Sequence, residues 1–111
     1  MALLKGTLDV LVLKSLSVGA KHGFEITRWI EDGSGGEIQV ESAALLQALH
    51  RLEERRLVVG EWGVTENNRR ARYYGLTPAG RSHLRAETES LRGSVAALAG
   101  LLGFPASRAA R

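Results

Sequence analysis

The chain contains no cysteine and only two prolines. Without thiols it can build neither disulfides nor a thiolate metal site, so packing alone must hold it together. Aromatic residues make up 5% of the chain, too few for the exposed stacking platform that single-stranded RNA recognition uses. No apolar run approaches the roughly eighteen residues of a membrane span. The opening "MALLKGTLDV" lacks the plan of a signal peptide, and a reducing cytoplasm is the expected location. The three histidines, His22, His50 and His83, lie far apart. No glycine-rich phosphate loop follows a strand, so an enzyme, a metal centre or a bound cofactor has little to stand on. At 111 residues, one modest core is expected and a deep lidded cleft is not.

What is present is an uneven distribution of charge. The net charge is +3, but residues 1–50 carry −2, residues 51–85 carry +4 and residues 86–111 carry +1. The basic part is concentrated in "TENNRRARYYGLTPAG", where Arg69, Arg70 and Arg72 precede two tyrosines. Such a cluster serves either as a solvated surface or as a phosphate contact, and its position in the fold decides between them.

Hydrophobic periodicity supplies that position. Residues 3–18 are apolar on more than one side, which predicts a buried helix ended by Gly19. Phe24, Ile26, Trp29 and Ile30 predict a second helix from Gly23 to the glycine and serine cluster. After the short extended "EIQV", Ser42 reads as the N-cap of a third helix running to about Arg56, with Leu45, Ala48, Leu49 and Leu52 inward. The period then changes. "LVVGEWGV" and "RYYGLT" read as a hairpin with "TENNRRA" at its tip. Thr77 and Pro78 supply the N-cap and first residue of a fourth helix reaching about Leu102.

The expected fold is therefore mainly α with a small β-hairpin. Residues 1–77 form a winged helix-turn-helix domain, 78–103 a C-terminal dimerisation helix, and 104–111 a tail. In that plan Arg69, Arg70 and Arg72 sit at or beside the wing tip, and Asn67 and Asn68 suit its turn. On the third helix, the side opposite the inner face carries Ala43, Gln47, His50, Arg51 and Glu54. Gln47 can pair with adenine, and Arg51 can take a guanine or a phosphate. Glu54 either faces away from phosphates or pairs with a neighbouring arginine.

The segments "LLKGTLDVLVLKSL", "HGFEITRWIE", "ALHRLEERRLV", "EWG" and "ENNRRARYYGLTPAGR" together resemble the PadR family of bacterial transcriptional regulators, in particular its short-tailed branch. The likeness spans about residues 3–92. It implies a dimeric winged-helix protein binding a double-stranded DNA operator, commonly as a repressor. Ser42, Gln47, His50, Arg51, Arg69, Arg70, Arg72 and Tyr73 are then the DNA-binding candidates. His22 joins them at the family's helix-opening position, where a phosphate contact and a structural cap are both open. The chain departs from the family at the start of the third helix, where Ala44, Leu46 and Gln47 replace the usual serine, tyrosine and proline. The lost hydroxyls weaken or relocate phosphate anchoring there.

Dimerisation has its own signal. Leu84, Thr88, Leu91, Val95, Leu98 and Leu102 step by four and three along the last helix, which describes a seam for another helix. Leu8 and Leu11 of the first helix are the expected partners across a two-fold axis, and a helix folded onto its own core is the alternative. Trp29 and Trp62 are core residues or, alternatively, line a pocket for a flat aromatic effector. A second function remains open: a winged-helix module that docks on a protein instead of DNA.

Overall fold

The computed structural model describes residues 6–105. Residues 3–5 of the expected first helix and residues 106–111 of the expected tail lie outside them. The element order is α1 (Thr7–Leu16), β1 (Lys21–His22), α2 (Gly23–Gly33), α3 (Ser42–Glu54), β2 (Val58–Val64), β3 (Arg70–Leu76) and α4 (Pro78–Leu102).

Helix α1 is buried on most of its circumference: Val12, Leu13, Ser15 and Leu16 are inaccessible or nearly so, and Leu8, Val10 and Leu11 pack at the core's edge. Ser15, the buried polar residue in this helix, donates to the Val12 carbonyl at 2.7 Å. Past the helix end, the Lys21 ammonium donates to the carbonyls of Ser15 at 2.6 Å and Gly19 at 3.3 Å. A cation thus satisfies the Ser15 carbonyl in the last turn of the helix, together with a carbonyl of the turn that follows. α2 opens with a reciprocal cap. His22 Nδ1 accepts from the Glu25 amide, and the Glu25 carboxylate accepts from the His22 amide.

The core forms where α1, α2 and α3 meet, around Leu13, Leu16, Ile26, Ile30, Leu49 and Leu52, and is closed from the sheet side by Val58 and Tyr74. "EIQV" forms no strand. Ile38 and Val40 pack against the core, and the Val40 amide donates to the Glu31 carboxylate at 3.1 Å. This fixes the path from α2 into α3. Glu41 occupies the N-cap of α3 and makes no side-chain cap bond, so Ser42 is the first helical residue and not the cap.

The sheet has three strands in the order β1-β3-β2, where a two-stranded hairpin was expected. Lys21 pairs with Tyr74 and His22 with Tyr73. Two residues are too short to carry an alternating pattern, so only the tertiary pairing defines β1. The β2–β3 hairpin is tighter than its polar run implies. Arg70 and Ala71 belong to β3, which confines the tip to residues 65–69. Thr65 organises that tip: its carbonyl accepts from the Asn68 amide, and its hydroxyl accepts from the amides of Asn67 and Arg69. Asn68 takes the left-handed conformation, with φ 61°, which asparagine tolerates better than most residues.

Thr77 caps α4 by accepting from the Gly80 amide at 3.0 Å, while its hydroxyl donates to the Arg56 carbonyl at 2.8 Å. Pro78 follows at the first helical position. The helix start is pressed so closely on the α3–β2 junction that a Cβ on Gly80 would lie 2.0 Å from the Leu57 carbonyl oxygen. Gly80→Ala must displace backbone. It should cost about 3 kcal/mol or more by overpacking, seen as a lower midpoint in urea unfolding. Gly93 faces open space on the same helix, and Gly93→Ala should instead stabilise by about 0.5–1 kcal/mol through helix propensity.

Candidate nucleic-acid interface

The N-terminal turns of α2 and α3 face the hairpin across an open cleft of about 1150 Å³. His22, Phe24, Ser42 and Leu46 line one wall, and Thr65, Asn67, Arg69, Arg70 and Tyr73 line the other. The outward surface of α3 presents Ala43, Gln47, His50 and Glu54, all exposed. Arg69 and Arg70 are exposed at and beside the hairpin tip, and no carboxylate among the described residues pairs with either. An exposed polar helix face and an unneutralised basic tip thus flank one concave surface.

Two other arginines are engaged within the chain. Arg51 leans toward α1 and holds Asp9 through two nitrogens, at 2.6 and 3.4 Å. This hydrogen bonding raises the Arg51 guanidinium above its ordinary value, with desolvation opposing, so it stays charged. Arg72 leans toward α3 and donates to Glu53 at 2.6 Å; the same hydrogen bond raises its guanidinium, again against desolvation. Glu53, and not Glu54, is therefore the acid of α3 that takes a neighbouring arginine. The planar guanidinium of Arg72 lies against Gly60, where a Cβ would stand 2.6 Å from its Nε. Trp62 and Tyr74 flank it, each ring centroid 5.8 Å from Cζ. Arg70 also stacks on Trp62, its Cζ 4.6 Å from the ring centroid. These contacts make the hairpin a braced arm, with Arg72 tying it to α3 and Arg70 held over an indole.

His22 is the cap of α2, as described, and its ring meets Tyr73 edge-on at 5.2 Å. Tyr73 carries its hydroxyl back to the Val64 carbonyl at 3.5 Å. Both line the cleft while serving its architecture. Trp62 is 61% exposed on the hairpin and Trp29 packs at the core; neither lines the cleft. Periodicity gave no notice of Asp9 and Glu53 as arginine partners, or of Phe24 and Leu46 as exposed cleft residues.

The candidate dimer residues divide along α4. Leu84 is 8% exposed and packs in its own chain's core. Leu91 is partly buried beside Gly6 and Val10, and Leu8 and Leu11 are partly buried against the core. Val95, Leu98 and Leu102 are 39%, 47% and 70% exposed, next to Leu101 and Phe104 on the distal part of the helix.

Three core helices, a helix-turn-helix pair whose second helix is outward on its polar face, and a braced hairpin beside it define a winged helix-turn-helix protein. Residues 12–86 match the transcriptional regulator PadR-like family. The chain belongs to that family. A transcriptional regulator from Clostridium thermocellum superposes with a TM-score of 0.77 at 24% identity, covering 85% of this chain and 91% of that one. A PadR family transcriptional regulator from Eggerthella lenta gives 0.75 at 26% identity, covering 88% and 83%. Bacillus subtilis PadR, solved in complex with operator DNA, gives 0.66 at 18% identity, covering 74% of this chain and 46% of that chain. Among the described residues no helix is long and apolar enough to cross a membrane, and no group of three His, Cys, Asp or Glu could hold a metal.

Proposed function

We propose that the protein is a sequence-specific regulator that binds a double-stranded operator as a homodimer and acts as a repressor. Helix α3 enters the major groove, and the 66–72 wing lies on the adjacent backbone or minor groove. The observation that carries this reading is a cleft lined by Ser42 and the uncompensated Arg69 and Arg70, on a chain whose α3 also exposes Gln47 and His50. That spacing of a helix and a basic loop suits a duplex: the helix reads base edges while guanidinium groups neutralise phosphates. The solved operator complex of Bacillus subtilis PadR supports it from the same fold. Arg51, held by Asp9, contributes to the α1–α3 contact and not to the first layer of base contacts.

The decisive experiment is selection of bound sequences from random duplex DNA, followed by titration of the recovered duplex at several salt concentrations. A recovered two-fold site, with affinity falling steeply in salt, is the expected result. Failure to enrich any sequence, together with a flat salt response, would favour a protein-docking module. Asp9 offers a companion test. Asp9→Ala releases the Arg51 guanidinium beside the groove-facing surface, and non-specific duplex affinity should rise with a salt slope steeper by about 0.9 per phosphate gained. An unchanged slope would leave Arg51 out of reach of the backbone.

A further inference from the structure

The recognition surface has an unusual chemistry for its proposed task. Between Ser42 and Glu54 the only Lys or Arg is Arg51, and its guanidinium is held by Asp9 at 2.6 Å. The commonest way of reading guanine, a bidentate arginine or lysine on O6 and N7, is therefore missing from α3. In its place stand apolar groups. Leu46 is 53% exposed, one residue from Gln47, and Ala43 is exposed one turn earlier on the groove-facing side. A leucine side chain left half in water on a helix with a well-filled inner face is not needed by the core. It lines the same cleft as Arg69 and Arg70, on the surface that the proposed binding mode turns to the duplex.

We infer that α3 reads A·T pairs, with Leu46 and Ala43 packing on thymine 5-methyl groups and Gln47 pairing with adenine. The inference rests on the proposed operator binding. The physical basis is that thymine alone among the DNA bases presents a methyl group in the major groove, so an apolar side chain there gains only where thymine stands. Gln47 supplies the complementary donor and acceptor for adenine N7 and N6 without a charge. The charge of this face agrees: Ala43 and Gln47 are neutral and Glu54 is acidic, so these exposed positions add no attraction for phosphate, and exposed arginines lie beyond them at Arg55 and Arg56 and on the wing.

The test uses the whole protein and the duplex recovered by selection, with each thymine replaced singly by deoxyuridine, which removes the methyl and keeps the pairing. At one or more thymines in each half-site affinity should fall about fourfold, the equivalent of ~0.8 kcal/mol for a buried methyl. Leu46→Ala, whose folding is checked by circular dichroism, should bind the thymine and uracil versions equally at that position. Arg69→Ala should weaken both versions and keep their ratio. Tight, sequence-specific binding that ignores every uracil would overturn the methyl readout while leaving operator binding intact. A selected guanine whose preference disappears in Arg51→Ala would overturn it as well. If no sequence were enriched at all, the operator reading would fall and this inference with it.

Discussion

Replacing Arg69 and Arg70 together by alanine should weaken binding to every duplex, operator or not, and flatten its salt dependence. Neither side chain supports the fold: both are exposed, and Arg70's contact with the chain is its stack on Trp62 at 4.6 Å. An exposed cation–π contact contributes on the order of 0.5–1 kcal/mol, so the urea midpoint should move little. The effect on DNA should be far larger. Each phosphate contact contributes about 0.9 to the slope of log affinity against log salt, so two contacts from each protomer of a dimer amount to roughly 3–4. Salt titrations of the variant on operator and random duplexes measure this directly. A slope equal to that of the native protein would remove the wing from the backbone contact. Arg72→Ala is the informative contrast. That residue is engaged with Glu53, so its loss should loosen the wing's attachment to α3 with a smaller change in slope.

The contrast between these arginines shows which parts of the site were legible in sequence. Local rules were sufficient for α4's start, where Thr77 and Pro78 meet the requirements of a cap and a first helical residue. They also sufficed for the inner face of α3, because Leu45, Ala48, Leu49 and Leu52 fall on one stripe. The site's electrostatics was legible only as composition. Three arginines in four positions read as one basic patch, yet strand alternation sends Arg70 and Arg72 to the α3 side of the hairpin, where an acid exists for one of them. The Asp9–Arg51 pair spans 42 residues, a separation on which helical periodicity carries no information. β1 was missed for a related reason: a two-residue strand is defined by its pairing with Tyr73 and Tyr74 and by nothing in its own pattern. The seam on α4 was legible as a repeat, but the repeat could not say where the chain's own domain stops covering it. Leu84 lies under that domain and Leu98 beyond it, although both satisfy the same spacing.

That division sets the second large effect. Leu98→Glu with Leu102→Glu should convert the proposed dimer to a folded monomer and reduce operator affinity by about 10²–10⁴-fold, the gain that linking two half-site contacts ordinarily provides. The residues are chosen because a single chain leaves them 47% and 70% exposed, so a carboxylate at either position stays hydrated in the monomer. In a dimer the same carboxylates would be buried against apolar side chains. Losing a buried leucine forfeits about 1.5–3 kcal/mol, and an unpaired buried charge costs more. Two-fold symmetry applies the penalty twice. The consequence for DNA follows from geometry, since two α3 helices can occupy successive major-groove faces about 34 Å apart only if the α4 helices hold the protomers together. Sedimentation velocity reports the assembly and circular dichroism the fold, while titration on a full site and on a half-site reports the coupling. The expected variant is monomeric, helical, and nearly indifferent to whether the second half-site is present. An intact dimer would move the interface off the distal seam of α4, and a monomer that still bound the full site as tightly as the native protein would refute paired half-site recognition.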